Sequence, residues 1–147
     1  DACCNRHSWI NRMLALHKPD PVVWIDCDCV VLKRPQLFQD LADMNGAYDV
    51  AMLCRPGGMI GGTIYADQSS AWFWDLCQKQ GGDADNQVDA AHKIARTDKL
   101  DWKVWPLEPS YQYCPWLMGR CESPLEREKI VILHEMAATG RKNKRIP

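Results

Sequence analysis

The sequence predicts a single α/β domain with a mixed, mainly parallel sheet flanked by helices, and three observations support this class. First, Val22-Val23-Trp24-Ile25 is a short apolar run with β-branched residues, as expected of a strand buried on both faces in a parallel sheet. Second, strand-like and helix-like segments alternate along the chain. Third, a length of 147 residues suits one domain with one core.

Apolar spacing and helix breakers place the elements in order. Residues 5–17 carry apolar side chains at helical spacing, which predicts an amphipathic helix that ends at Lys18-Pro19-Asp20-Pro21. Further helices are predicted at 36–44, from about 67–70 to 80, and from 83 or 85 to about 96. Strands are predicted at 22–32, 48–54, 59–66, 102–107 and 130–133.

Composition excludes several classes of function. The net charge of −1 gives no general attraction to nucleic acid or to anionic membranes. No run of apolar residues is long enough for a transmembrane helix. The eight cysteines include no C-x-x-C pair, which argues against a structural zinc site. We expect mostly buried free thiols in a reducing, cytoplasmic compartment, although Cys3, Cys4, Cys114 and Cys121 could pair.

Two carboxylates, Asp26 and Asp28, follow the apolar run with one residue between them. Side chains alternate along a strand, so the two should project to one side and Cys27 to the other. Two neighbouring like charges repel each other, and a divalent cation bound between them removes that penalty. Oxygen ligands suit Mg²⁺ or Mn²⁺, which usually bridge to phosphate oxygens. The pattern predicts a metal and phosphate site, against the alternative of a solvated strand end or a helix-capping pair.

Several segments, in this order, resemble GT-A-fold glycosyltransferases. Asp26-x-Asp28, with the exit Lys33-Arg34-Pro35, resembles the DxD segment of these enzymes. The segment from Gly61-Gly62 to Tyr65 is similar to the glycine-bearing strand that they place beside the donor sugar. Asp85-Asn86-Gln87 resembles the acidic or amide pair that opens their next helix, near the acceptor. The similarity covers most of the chain.

The last part of the chain continues the resemblance. Val131-Ile132-Leu133-His134 is similar to the late strand whose histidine joins the metal in several of these families. Gly140 and Lys142 are similar to the glycine and lysine that meet the diphosphate. Two departures are visible: the gap from His134 to Gly140 is longer than usual, and the chain starts at the helix before DxD, without the usual N-terminal nucleotide-binding βαβ unit. We therefore expect residues 1–147 to form one GT-A-like domain, as a fragment or a minimal version, whose incomplete sheet a second copy could cover.

The resemblance implies a metal-dependent enzyme, a glycosyltransferase of the hexosyltransferase type. It would move a sugar from a nucleotide-diphosphate donor to the hydroxyl of a carbohydrate or another acceptor. Asp28 would bind Mn²⁺ or Mg²⁺ directly, Asp26 would bind the metal or donor hydroxyls, and His134 would add a nitrogen ligand. The implied catalytic residues are Asp85, Asn86 and Gln87, and the implied donor-binding residues are Asp26, Asp28, Gly61, Gly62, Gly140 and Lys142.

Other interpretations fit parts of the same pattern. In a haloacid-dehalogenase-like phosphohydrolase Asp26 would attack phosphorus and Asp28 would act as acid and base with Mg²⁺, although Cys29 stands where glycine is usual. The lysine of such an enzyme has no clear counterpart, and Lys79 would be the only well-placed candidate. A catalytically inactive GT-A-like binding module is a third possibility. Locally, His134 could be a core histidine, Gly61-Gly62 a plain bulge, and Asp85-Asn86-Gln87 only a helix cap.

Overall fold

The computed structural model describes residues 5–55, 58–115 and 125–135. Gly140 and Lys142 lie outside the described residues, so their predicted contact with a diphosphate stays a prediction. Within the described ranges the helices are α1 (Arg6–Leu16), α2 (Gln36–Asp43), α3 (Ala71–Gln78) and α4 (Ala84–Thr97). The strands are β1 (Val22–Ile25), β2 (Cys29–Val31), β3 (Val50–Arg55), β4 (Gly58–Ala66), β5 (Val104–Pro106) and β6 (Ile132–His134).

The strands form a mixed sheet and a small second ladder. Four strands hydrogen-bond in the order β1-β4-β3-β5, and β2 pairs with β6. In the larger sheet, β4 runs antiparallel to both β1 and β3, whereas β5 runs parallel to β3. The α/β class and the mixed sheet flanked by helices are confirmed.

The alternation of side chains along β3 and β4 divides the core into two layers. Met52 and Ile64 point to one face, where they pack with Ile10, Phe73 and Val88 from α1, α3 and α4. On the other face, residues Ala51 and Tyr65 pack with Phe38 and Leu41 of α2. The sheet is therefore covered by three helices on one side and by α2 on the other.

The expected predominance of parallel strands is corrected by the observed pairings. β3 and β4 are consecutive strands, and Arg55 at the end of β3 pairs with Gly58 at the start of β4, so the two strands run antiparallel. β1 lies at the end of the strand order rather than in the middle, and Val23 is 40% exposed. The prediction that β1 is buried on both faces was therefore wrong, because its apolar residues serve an edge strand. The expected coverage of such an edge by a second copy stays a prediction.

The segment predicted as one strand over residues 22–32 is divided by a turn. The amide of Cys29 donates to the carbonyl of Asp26 (3.0 Å), and the chain then leaves β1 to form β2 with β6. Because the segment is not one strand, alternation along a strand does not place the side chains of Asp26 and Asp28 on one side. The Asp26 carboxylate contacts Trp24 and Arg6, whereas that of Asp28 contacts His134.

The glycine pair Gly61-Gly62 lies in an irregularity of β4. Met52 of β3 pairs with Ile64, but the next residue, Leu53, pairs with Ile60. Gly61, Gly62 and Thr63 thus have no partner on β3, which agrees with the bulge interpretation of this pair. Their backbone groups are available to side chains and turns from other elements.

The cysteines of the described ranges differ in burial. Among the described residues, Cys27, Cys29, Cys54, Cys77 and Cys114 are free thiols. Only Cys77 and Cys114 of these are buried, so the expectation of mostly buried thiols is met only in part. None of the described helices has the length and apolar character needed to cross a membrane.

Candidate functional site

The side chains of Asp28 and His134 meet beside the junction of β1 and β2. His134 Nε2 lies 3.0 Å from Asp28 Oδ1, with side chains that are 11% and 30% exposed. Backbone hydrogen bonds fix this contact. The amide of Glu135 donates to the Asp28 carbonyl (3.0 Å), and the amide of His134 donates to the Tyr113 carbonyl (2.9 Å). The two residues predicted as metal ligands from distant parts of the sequence are therefore adjacent in space.

A cysteine joins this pair. Three possible ligand atoms lie within 4.8 Å of one another: a carboxylate oxygen of Asp28, Sγ of Cys29 and a ring nitrogen of His134. Burial, with the neighbouring carboxylates of Asp26 and Asp28, raises the pKa of the Cys29 thiol to about 12. This side chain is therefore a protonated thiol at neutral pH. The spacing of the two carboxylates indicated only Asp26 and Asp28 as ligands of this segment, so Cys29 was not predicted.

Gly62 leaves room for two buried polar groups. A Cβ atom at this position would lie 2.9 Å from Gln112 Nε2 and 2.9 Å from His134 Nδ1. Neither nitrogen has a hydrogen-bond partner among the described residues. Gln112 is completely buried and its Oε1 accepts from the Thr63 amide (2.9 Å), so its Nε2 is directed toward the space above Gly62. The site thus contains polar groups that need a ligand, a water or an ion.

The carboxylate of Asp26 contacts side chains of α1 and β1 and does not belong to this ligand group. The Trp24 indole N–H donates to Asp26 Oδ1 (2.7 Å), and Arg6 Nη2 lies 3.8 Å from Asp26 Oδ2. The amide of Asp26 donates to the carbonyl of Gly62 (2.9 Å). Of the three predicted metal ligands, the structure brings together Asp28 and His134, while the Asp26 carboxylate is engaged by a buried arginine.

Arg6 connects Asp26 to the start of α4. Its Nη1 donates to Asp85 Oδ1 (3.1 Å), and the same oxygen accepts from the amide of Gly61 (3.2 Å). The Arg6 side chain is only 6% exposed, whereas those of Asp26 and Asp85 are 21% and 44% exposed. A buried cation therefore fixes two carboxylates that keep contact with solvent, beside the bulged glycines of β4.

The other two predicted catalytic residues lie around Asp85 without sharing its contacts. Asn86 is exposed, and its amide donates to the carboxylate of Asp83 (2.9 Å), so the side chain that caps this helix is that of Asp83 and not one of Asp85-Asn86-Gln87. Gln87 Oε1 accepts from His7 Nδ1 (3.0 Å), and Gln87 Nε2 donates to the Gly82 carbonyl. Asp85 is the member of the three that joins the Arg6 network.

Arg6 and His7 were not identified from the sequence. A signal was present, since Arg6 lies four residues before Ile10 and eight before Leu14, on the face of α1 that packs against the core. A buried arginine in an apolar stripe needs an anionic partner, and here Arg6 finds the partly exposed carboxylates of Asp26 and Asp85. Spacing alone could not show which carboxylates these would be.

His7 predicts a pH dependence of stability. Burial, with the adjacent Arg6 guanidinium, lowers the pKa of His7 from 6.5 to about 4. Since the unfolded chain takes up this proton below pH 6.5 and the folded chain does not until about pH 4, stability falls as the pH decreases between these values. We expect His7 to account for roughly 2–3 kcal/mol of lost unfolding free energy across this window.

Urea denaturation at several pH values measures this effect. The variant His7→Gln should show a shallower loss between pH 6.5 and pH 4, while the control His17→Gln, at an exposed position, should match the parent chain. Equal slopes for the parent and His7→Gln would contradict the assignment of this pH dependence to His7.

Comparison with known proteins supports a fold and no closer relationship. No protein-family model matches the sequence, and no curated protein matches it. Among solved structures, a glycosyltransferase involved in the glycosylation of the major capsid of PBCV-1 superimposes with a TM-score of 0.58 at 15% identity, over 92% of this chain and 70% of that one.

Two further solved structures agree. The apo-form glycosyltransferase GlyE of Streptococcus pneumoniae TIGR4 gives a TM-score of 0.56 at 15% identity, over 90% of this chain and 37% of that one. The apo form of mouse xyloside xylosyltransferase 1 gives a TM-score of 0.54 at 12% identity, over 88% of this chain and 63% of that one. The chain is thus shorter than these structures, and it has a glycosyltransferase-like fold of the GT-A type.

Proposed function

We propose that this chain binds a nucleotide-diphosphate sugar and transfers the sugar to an acceptor hydroxyl in a metal-dependent reaction. The observation that carries the proposal is the contact of Asp28 with His134 (3.0 Å), beside the turn that follows β1, in a glycosyltransferase-like fold. The carboxylate of Asp28 and the imidazole of His134, which come from two separate segments, are both ligand types that divalent cations accept.

The residues present fit a divalent cation. Asp28 and His134 would hold it, and the 30% exposure of the Asp28 side chain leaves the group accessible to a substrate. The carboxylate of Asp28 and the imidazole of His134, taken as the two ligands, suit Mn²⁺ or Mg²⁺, and a third ligand from Cys29 would shift this preference toward a thiophilic ion. Such an ion would stabilise the negative charge that develops on a departing nucleoside diphosphate. Asp26, engaged by Trp24 and Arg6, is better placed for donor hydroxyls than for the metal.

The Arg6 network would position the sugar. Arg6 holds the carboxylates of Asp26 and Asp85 on either side of its guanidinium, and both acids retain exposed surface. Ionised carboxylates accept hydrogen bonds from sugar hydroxyls, and their fixed geometry lowers the entropy lost when a sugar is bound. The amide of Gly61 fixes the same oxygen of Asp85, so the bulge of β4 contributes to this arrangement.

The phosphohydrolase alternative has less support. Lys79, its candidate lysine, is exposed and follows the last residue of α3 as the C-cap. Asp26, its candidate nucleophile, is bound by Trp24 and Arg6. The solved structures that the chain resembles are glycosyltransferases.

An end-point assay distinguishes the candidate functions. The chain is incubated with UDP- and GDP-sugars and a divalent cation, with water as the acceptor of the sugar, and in a parallel reaction with a phosphate monoester; free UDP, GDP and inorganic phosphate are measured. We expect metal-dependent release of UDP or GDP by the parent chain and by Asp43→Asn, whose exposed carboxylate only accepts from Gln39, but not by Asp28→Asn. Phosphate release from a phosphate monoester that depends on Asp26 would favour the phosphohydrolase, and no turnover with intact nucleotide binding would favour the inactive module.

A further inference from the structure

Cys29 faces the metal ligand His134 across a short ladder. β2 and β6 are antiparallel, and the register pairs Cys29 directly with His134. Directly opposed residues in an antiparallel pair project to the same face, with Cβ atoms about 5 Å apart. Asp28 precedes Cys29 in the turn, and its carboxylate already reaches His134 Nε2 (3.0 Å). The backbone therefore delivers a carboxylate, a thiol and an imidazole to one location.

Backbone hydrogen bonds hold the three residues in place and leave their metal-binding side-chain atoms free of this task. The Cys29 amide donates to the Asp26 carbonyl (3.0 Å), the Glu135 amide to the Asp28 carbonyl (3.0 Å), and the His134 amide to the Tyr113 carbonyl (2.9 Å). The Cys29 thiol donates a weak hydrogen bond to the Gly62 carbonyl oxygen, which lies 3.8 Å from Sγ. Thus the thiol can turn toward a cation without breaking the ladder.

An independent observation places unsatisfied polar groups at the same point. His134 is 9% exposed and Gln112 is fully buried, yet His134 Nδ1 and Gln112 Nε2 have no partner among the described residues. Both nitrogens border the space that a side chain on Gly62 would fill. A metal-ligating histidine normally uses its second nitrogen in a further hydrogen bond, so a ligand or ordered water in this space would complete the set.

The donor set differs from one made of oxygen alone. Carboxylates and water suit Mg²⁺ and Mn²⁺, whereas a thiolate beside an imidazole suits Zn²⁺ and chemically similar ions such as Co²⁺. Tetrahedral sites with three protein ligands leave a fourth position for water or substrate. Ligand atoms within 4.8 Å of one another can reach such an ion with small side-chain rotations.

We propose that Cys29 is a metal ligand, and that Asp28, Cys29 and His134 form a three-ligand site for a thiophilic cation such as Zn²⁺. When the metal–sulfur bond forms, the thiol releases its proton to solvent and sulfur supplies the electron pair. The inference rests on the proposed function only for the use of the fourth position, where a phosphate oxygen of the donor would bind. Cation binding itself requires no nucleotide.

Cobalt spectroscopy tests the ligand directly. Co²⁺ is titrated into the parent chain without nucleotide, and the near-ultraviolet band of thiolate-to-cobalt charge transfer is recorded. We expect this band in the parent chain and in the control Cys27→Ser, whose thiol is exposed and lies outside the ligand group. Cys29→Ser and Cys29→Ala should lose the band, His134→Gln should weaken Co²⁺ binding at least tenfold, and added Zn²⁺ should bleach the parent spectrum.

The outcomes separate this inference from the proposed function. Circular dichroism first establishes that each variant is folded. Retention of the full band by both folded Cys29 variants, or Co²⁺ binding by the parent chain without any thiolate band, would overturn the assignment of Cys29. Absence of Co²⁺ binding would overturn it as well. Failure to bind or turn over a nucleotide sugar would overturn the proposed function while leaving the cobalt result intact.

Discussion

Gly61→Ala is expected to lower the free energy of unfolding by roughly 2–4 kcal/mol, because the added methyl group would displace a buried arginine. A Cβ atom at this position would overlap Arg6 Nη1 and lie 3.2 Å from Asp85 Oδ1. Arg6 could leave only by giving up its contacts with Asp85 (3.1 Å) and Asp26 (3.8 Å). The two carboxylates would then share a small region without the cation that links them.

Chemical denaturation of matched variants measures this effect. Gly81→Ala is the control, since Gly81 is exposed and a Cβ atom there would meet nothing within 4 Å. A double-mutant cycle with Arg6→Met identifies the cause, because the alanine methyl should cost much less once the guanidinium has been removed. An equal cost of Gly61→Ala in the parent chain and in Arg6→Met would contradict the explanation.

Elements with a strong local pattern could be predicted from the sequence. The helix expected at 5–17 is α1 (Arg6–Leu16), and the strand expected at 59–66 is β4 (Gly58–Ala66). Proline and glycine breakers, the Asp83 N-cap and apolar periodicity act within a few residues, so they are visible in a single sequence. The mixed sheet also followed from the alternation of these elements, whereas the glycosyltransferase-like fold was implied by the resemblance to GT-A enzymes.

Strand partners could not be predicted in the same way. The apolar run of β1 looks like a central strand, but its position at the end of the sheet depends on β4, about forty residues away in the chain. The turn after Ile25, which the Cys29 amide closes by donating to the Asp26 carbonyl, leads into the pairing of β2 with β6, a strand near the other end of the chain. Long-range pairing decides both features, and local propensity does not.

The candidate site shows the same division. Asp28 was predicted from the spacing of two carboxylates and His134 from the resemblance, and the structure brings them together. Arg6, His7, Cys29 and Gln112 were missed, because each becomes significant only through a partner on another element. Cys29 is the example with most consequence, since its proposed role as a metal ligand depends on the register that pairs it with His134.

Asp28→Asn is expected to reduce the affinity for a nucleoside diphosphate more than about 100-fold, since an amide is a poor ligand for a divalent cation. The carboxylate is also the partner of His134, so its loss removes two features of the site at once. The backbone should be little affected, because Asp28 is tied to β6 through its carbonyl oxygen rather than through its side chain. Asp43→Asn is the matched control.

Calorimetric titration of UDP and of GDP, with and without Mn²⁺ or Zn²⁺, tests the central claim most directly. We predict that the parent chain and Asp43→Asn bind one of the two nucleotides only when a cation is present, and that Asp28→Asn does not bind it under either condition. Absence of binding by the folded parent chain with every cation, or binding that is unchanged in Asp28→Asn, would contradict the account of a metal-dependent donor site.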